Sequence, residues 1–381
     1  MTKSLHFFNL RKFIFNMPYS RPITKLIPCD VKIDTNHNWV SEWSTFVDGG
    51  NGILYGIPFN ARRVLEFHLQ DKSMREIGPD LGAGGRKYRN GIRAESGSIY
   101  CIPYIGAIQF LKITPVEGGE DAMVRIMYND EKCPRMKFMG WIAGALAKDG
   151  CIYYMPYNAS RVLKLDPSNN DSLSLIGGEV GDYMEDNHCK GAVLGSDDCI
   201  YGFRSSSCRG FKIIKFNPDN TKVSSLDIEF EETQSIDGYV AAADGNIYAA
   251  NDYGQILKID LTSKTCSLFG YGIHTNNRGW GLPVLGADKC IYFPPSQHER
   301  VLKFNTSTRK ISLIGDSHED NCFKYYGCVL ASDGFVYCVP YNVKHILQVD
   351  ARPLNERIVE LVQNIYDSQT HHSQVNMKDC I

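Results

Sequence analysis

The sequence predicts an all-β fold made of seven like units, and three observations carry that prediction. First, a hydrophobic residue followed by tyrosine recurs seven times, at Leu54-Tyr55, Ile99-Tyr100, Ile152-Tyr153, Ile200-Tyr201, Ile247-Tyr248, Ile291-Tyr292 and Val336-Tyr337. Successive tyrosines lie 45, 53, 48, 47, 44 and 45 residues apart, a period that marks stacked supersecondary units. Second, the residue four before the tyrosine is Asn51, Asp149, Asp197, Asp244, Asp288 or Asp333, with Ser96 the one exception, and Gly52, Gly97, Gly150, Gly245 and Gly334 follow it. Asp-Gly and Asn-Gly are strong hairpin signals because the turn needs positive φ. Third, Pro58, Pro103, Pro156, Pro295 and Pro340 stand three residues after their tyrosines. Proline cannot donate to a sheet ladder and so belongs at a strand end.

The third copy shows the elements in order. Trp141–Ala147 is an apolar run rich in small residues, closed by Asp149-Gly150. Cys151–Met155 follows and ends at Pro156-Tyr157-Asn158. Arg161–Leu165 is stopped by Asp166-Pro167, and Ser172–Ile176 alternates like a half-exposed strand before Gly177-Gly178. The third strand recurs as Val64-Leu65, Ile256-Leu257, Val301-Leu302 and Ile346-Leu347, and the fourth as Ser267-Leu268-Phe269-Gly270 and Ser312-Leu313-Ile314-Gly315. Four short antiparallel strands at such a period make a β-propeller blade. The expected architecture is therefore a seven-bladed β-propeller with four antiparallel strands per blade and a short C-terminal helix.

The boundaries follow. Residues 1–21 read as a basic, acid-poor leader, 22–362 as the propeller and 363–381 as a tail. Closing the ring needs a fourth strand for the seventh blade. Ile23–Pro28 and Arg357–Leu361 both suit it. Leu354, Ile358, Leu361, Val362 and Ile365 also follow helical spacing, so the N-terminal strand is expected to close the ring and a C-terminal helix to cap an edge. Val116–Lys137 departs from the repeat and reads as a surface loop.

One further slot bears on function. Twelve residues before the tyrosines stand Trp43, Tyr88, Trp141, Cys189, Ile236, Trp280 and Tyr325, at the start of the innermost strand. Lys87 and Arg89, Lys190, Arg278 and Lys324 lie beside it. Trp43, Tyr88, Arg89, Trp141, Lys190, Arg278, Trp280, Lys324 and Tyr325 are thus a candidate binding rim at one mouth of the channel, suited to an acidic peptide, a phosphate or a glycan. The competing reading makes each aromatic a wedge between neighbouring blades. Repetition at a fixed slot favours the wedge, since every blade must pack whatever is bound.

The pattern Asp-Gly-x-Ile-Tyr, Pro, Val-Leu-Lys-Leu-Asp, Ser-Leu-Ile-Gly resembles the seven-bladed repeats of the Kelch, NHL and streptogramin-lyase-like groups over residues 40–350. The double glycine of Kelch blades and the Trp-Asp of WD40 blades are missing, so the subfamily stays open. The resemblance implies an interaction scaffold or, less often, a lyase or lactonase with its site at the channel mouth; fold alone does not choose.

Composition narrows the rest. A net charge of −2 gives no bulk attraction to nucleic acid or membrane, and no apolar run reaches membrane-spanning length. Thirteen cysteines without Cys-x-x-Cys, with Cys151, Cys199 and Cys290 sharing one slot, read as small buried hydrophobes in a reducing compartment. The scattered histidines share no slot, and neither a nucleophile elbow nor a phosphate loop is present. The sequons at Asn158, Asn170 and Asn305 matter only on a secretory route. The expectation is a scaffold that binds a protein, with no catalytic residue, cofactor or metal. Its expected location is the cytoplasm, with organellar import through the leader as the alternative.

Overall fold

The structure, a computed structural model, describes residues 23–29, 31, 41–116, 121–127, 140–179, 189–204, 211–228, 236, 238–270, 279–317, 323–357 and 359–360. Its strands form seven four-stranded antiparallel sheets. Blade one is β2 to β5 (Trp43–Asp48, Ile53–Pro58, Val64–His68, Met74–Ile77), and blade two is β6 to β9 (Tyr88–Arg93, Ile99–Pro103, Leu111–Thr114, Met123–Ile126). Blade three is β10 to β13 (Trp141–Leu146, Ile152–Pro156, Val162–Asp166, Ser172–Ile176), and blade four is β14 to β17 (Cys189–Leu194, Ile200–Arg204, Phe211–Asn217, Lys222–Ile228). Blade five is β18 to β21 (Tyr239–Ala241, Ile247–Ala250, Ile256–Asp260, Thr265–Phe269), and blade six is β22 to β25 (Val284–Leu285, Cys290–Phe293, Val301–Asn305, Lys310–Ile314). Blade seven joins β26 to β28 (Tyr325–Leu330, Phe335–Pro340, His345–Asp350) to β1 (Thr24–Pro28).

The N-terminal strand closes the ring, as the sequence suggested. β1 runs antiparallel to β28 from Thr24↔Val349 to Pro28↔His345. This pairing covers the edge that an open ring would leave exposed. Arg357 is helical rather than part of a closing strand: a helical turn begins at Leu354. Arg352 ties that turn down, bonding Asp350 at 2.9 Å and Glu360 at 2.7 Å. Ile358, Leu361, Val362 and Ile365 of the expected helix lie outside the described residues.

Two elements differ from expectation. The Val116–Lys137 segment is not simply a loop, because Met123–Ile126 forms the fourth strand of blade two. Val124 and Ile126 pack on the core while Met123 and Arg125 face out, the alternation of a half-exposed strand. In blade six the innermost strand shrinks to two residues. Pro283 lacks a donor, and Leu282 N–H instead bonds Tyr326 O of blade seven at 2.7 Å.

The core is a series of seams, each filled from two adjacent blades. One seam joins Trp43, Phe46 and Phe67 of blade one to Tyr337, Val339 and Ile346 of blade seven. Toward the axis space is short: a Cβ on Gly191 would sit 2.6 Å from the Tyr239 ring of the next blade.

The two faces of the ring differ. The hairpin face carries the turns between first and second strands and between third and fourth. There the repeated tyrosine donates to the repeated aspartate: Tyr153 to Asp149 at 2.5 Å, Tyr201 to Asp197 at 2.8 Å, Tyr248 to Asp244 at 2.6 Å, Tyr292 to Asp288 at 2.8 Å and Tyr337 to Asp333 at 2.7 Å. Third-strand lysines complete two of the sets, with Lys215 and Lys303 each 2.6 Å from their aspartate. Blade two lacks the aspartate at Ser96, and Asp171 of blade three replaces it. Asp171 accepts from Tyr100 at 2.5 Å, Lys112 at 2.7 Å and Arg125 at 2.6 Å. Burial pushes the Asp171 carboxyl up, but the hydrogen bonds from Lys112 and Tyr100 outweigh it and hold the group below the ordinary value. Burial, with Asp197 adding, pushes the Tyr201 phenol up to about 12. Burial also raises the Cys151 and Cys290 thiols to about 11.

Candidate functional site

The loop face, opposite, carries the second-to-third strand loops and the connections between blades. The aromatic residues of the predicted rim lie behind this face. Trp43 and Tyr325 are 1% exposed, and Tyr88, Trp141 and Trp280 are also buried. Each fills the seam with the preceding blade. The three indoles donate to the carbonyls of Arg63, Arg161 and Arg300, each twenty residues on, at 3.2, 2.8 and 3.0 Å. Lys87 and Lys324 are 2% and 1% exposed. The Lys87 ammonium donates to Asn60 O at 2.9 Å and Ala61 O at 3.1 Å, and burial holds its pKa below the usual lysine value. Lys190 is half-buried, and Arg278 lies outside the described residues.

Arg89 is placed differently. In five blades the pairing of the two innermost strands slips immediately after the aromatic slot. Such a bulge re-aims the side chain it carries. Arg89 and Tyr326 both occupy bulges, in blades two and seven, and they meet across blade one. Arg89 Nε donates to the Tyr326 hydroxyl at 2.8 Å, and its guanidinium lies over the Tyr326 ring at 5.2 Å and over the Tyr104 ring at 5.6 Å.

Around this pair runs an aromatic arc. Phe59 packs on Tyr104 at 6.0 Å and on Tyr341 at 5.9 Å, and Tyr341 packs on Tyr326 at 5.7 Å. Arg89, Tyr104, Phe59, Tyr341 and Tyr326 therefore form a closed circuit of contacts drawn from three consecutive blades. All five side chains are half-buried, with part of each facing solvent. Backbone hydrogen bonds anchor three of them. Phe59, Tyr104 and Tyr341 N–H donate to the carbonyls of Glu42, Lys87 and Lys324 at 2.8, 2.7 and 2.9 Å. Ile108, four residues past Tyr104, is 75% exposed.

The reading of the rim from sequence missed the arc, although a signal was present. The residue four after the repeated tyrosine is aromatic in blades seven, one, two and three (Tyr341, Phe59, Tyr104, Tyr157) and polar in blades four, five and six (Ser205, Asp252, Ser296). Charge shares this asymmetry. In the loop-face segments 41–42, 59–63, 78–89, 104–110 and 341–345, Arg62, Arg63, Arg86, Lys87, Arg89 and Lys344 stand against Glu42 and Asp80. In segments 251–255, 294–300, 315–317 and 323–324 of blades five and six, Arg300 and Lys324 stand against Asp252, Glu299 and Asp316.

A hollow of about 450 Å³ opens on the hairpin face and is lined by Asn51, His68, Leu69, Val116 and Asp333 among others. Its ionisable groups are engaged within the fold. Asp333 accepts from Tyr337 and lies 3.7 Å from Lys72, and His68 lies 3.8 Å from the buried Glu66. Among the described residues no three His, Cys, Asp or Glu side chains gather as a metal ion would require. Among them, too, no helix is long and apolar enough to cross a membrane.

These features define a seven-bladed β-propeller with one asymmetric mouth, and solved structures share the fold. A streptogramin B lyase is similar over 85% of this chain and 97% of its own, at 14% identity and TM-score 0.63. A catalytically inactive variant of virginiamycin B lyase from Staphylococcus aureus, solved with quinupristin, is similar over 86% of this chain and 98% of its own, at 12% identity and TM-score 0.63. YCF48 bound to D1 peptide is similar over 87% of this chain and 97% of its own, at 9% identity and TM-score 0.59. At such identities the likeness is one of fold. No family model matches the sequence, and no curated protein does.

Proposed function

We propose that this protein is a non-catalytic binding propeller that takes a protein ligand on the loop face, over the arc of blades seven, one and two. The observation that carries the reading is the asymmetry of the post-proline slot. A structural role would recur round most of the ring, as the tyrosine–carboxylate contacts do in six of the seven blades, whereas the aromatics of this slot stand only in the consecutive blades seven, one, two and three. Tyrosine, phenylalanine and arginine on a rigid backbone are what protein interfaces favour at their centres, because they present large contact areas at low entropic cost. A propeller neighbour that holds a peptide supports the same use of the fold.

The test is proximity labelling and affinity capture from native cells with the wild-type chain, a Phe59→Ala/Tyr341→Ala variant and a Tyr253→Ala control outside the arc. The reading expects partners that survive in the control and vanish in the double variant. A folded double variant that keeps every partner overturns it.

A further inference from the structure

We infer that the ligand of this mouth is an acidic protein segment that lays an apolar side chain on the aromatic arc and its carboxylates against Arg86 and Lys344. The inference rests on the proposed binding role of the arc and adds the chemistry of the occupant. Both cations are exposed. Lys344 lies three residues beyond Tyr341 in the same loop. Arg86 is held beside the other two rings by its backbone. Its N–H donates to Asn60 Oδ1 at 2.9 Å, next to Phe59, and its carbonyl accepts from Gly106 at 2.8 Å, two residues past Tyr104. Arg86 keeps a left-handed φ of 59°, a conformation that costs a non-glycine residue energy and that these two bonds maintain.

The local charge contrasts with that of the whole molecule. The chain carries a net charge of −2, yet basic residues outnumber acidic ones around the arc. Arg62 and Asp80 pair with each other and cancel, which leaves Arg63, Arg86, Lys87, Arg89 and Lys344 against Glu42. A polyanion such as RNA experiences the field of the whole protein as well as the patch, and that field is weakly repulsive. A short acidic segment experiences chiefly the patch, because charges beyond about 10 Å are screened at 0.1 M salt. The complementary partner is therefore acidic peptide, with one apolar anchor for the rings.

Fluorescence anisotropy tests this with four labelled probes: an Asp/Glu-rich peptide bearing one Phe, its Asn/Gln counterpart, its Lys/Arg counterpart and a single-stranded RNA. The expected result is binding of the acidic probe at least about 10-fold tighter than the neutral one, weakening with added salt. An Arg86→Gln/Lys344→Gln variant, altered only at exposed positions, should lose most of that preference while its thermal midpoint stays put. Equal binding of acidic and neutral peptides overturns the acidic assignment and leaves the binding role of the arc intact. Tighter binding of RNA than of the acidic peptide also overturns it, as does failure of all four probes. Partner capture with Phe59→Ala/Tyr341→Ala then decides the parent reading separately.

Discussion

The two faces of this ring obey different rules. On the hairpin face the same tyrosine meets a carboxylate in six of the seven blades: where Ser96 breaks the pattern Asp171 restores the contact from the adjoining blade, and only in blade one does the Asn51 amide take the carboxylate's place. On the loop face the aromatic arc occupies only part of the circle, and its key contact joins Arg89 to Tyr326 across an intervening blade. In a repeat protein, what recurs holds the units together, and what occurs in one sector is free to serve something else. The comparison separates stability from recognition residue by residue, so each can be perturbed alone.

The largest expected effect falls on the repeated side. Trp141→Ala empties a seam and strands the Arg161 carbonyl, and should cost about 3–5 kcal/mol in urea denaturation. Next comes Asp171→Asn, which removes the negative charge and one of the two oxygens shared by two cations and a phenol, and should cost about 2 kcal/mol. Adding Ser96→Asp to that variant puts a carboxylate where most other blades have one, and should recover part of the loss. If it recovers none, Tyr100 is not interchangeable with the other repeated tyrosines.

The pH dependence of the thermal midpoint sharpens the same contrast. Asp171 has a folded pKa below its unfolded value, so its contribution is complete above about pH 4 and is lost as pH falls through the folded value. The thiols of Cys151 and Cys290, raised to about 11, and the phenol of Tyr201, raised to about 12, behave oppositely. Their contribution is complete below about pH 9 for the thiols and about pH 10 for the phenol, and disappears as pH climbs to the folded values. Calorimetry should find a midpoint that declines on both sides of a neutral plateau, and Asp171→Asn should make the acid limb shallower without abolishing it, because Asp197, Asp244 and Asp350 are also held below the ordinary carboxylate value. The smallest effect on stability belongs to the arc. Phe59→Ala should cost about 1 kcal/mol, because the ring is already half in solvent, while ligand binding drops by at least about 10-fold. A cost like that of Trp141→Ala would make Phe59 one more wedge and erase the distinction between the faces.

The sequence reading follows this division. Tyrosine spacing, Asp-Gly turns and strand-ending prolines are local signals, and they suffice for seven blades of four strands; closure had two candidates in the sequence, and the pairing of Thr24–Pro28 with β28 decides between them. Non-local features escape. Asp171 compensates for Ser96 from 75 residues away, a substitution that becomes visible only once two blades lie side by side. β9 hides in a segment whose length departs from the period. Arg89 stands out by its neighbours in sequence, but its reach to Tyr326 depends on a bulge, which residue types alone do not announce. The arc has a periodic trace at the post-proline slot. Its meaning lies in the blades where the aromatic is absent, and that absence becomes a direction only when the ring is closed.

The partnership of Thr24 with Val349 has a consequence for biogenesis. Of the described strands, the one that locks the circle is the first to be synthesised, and its partner is the last. At ordinary translation rates the opening strand waits on the order of half a minute for the closing one to leave the ribosome. During that interval the earlier blades can form their own hairpins, but the seam between the last blade and the first stays unmade. A nascent chain halted before residue 345 therefore has nothing for that strand to pair with.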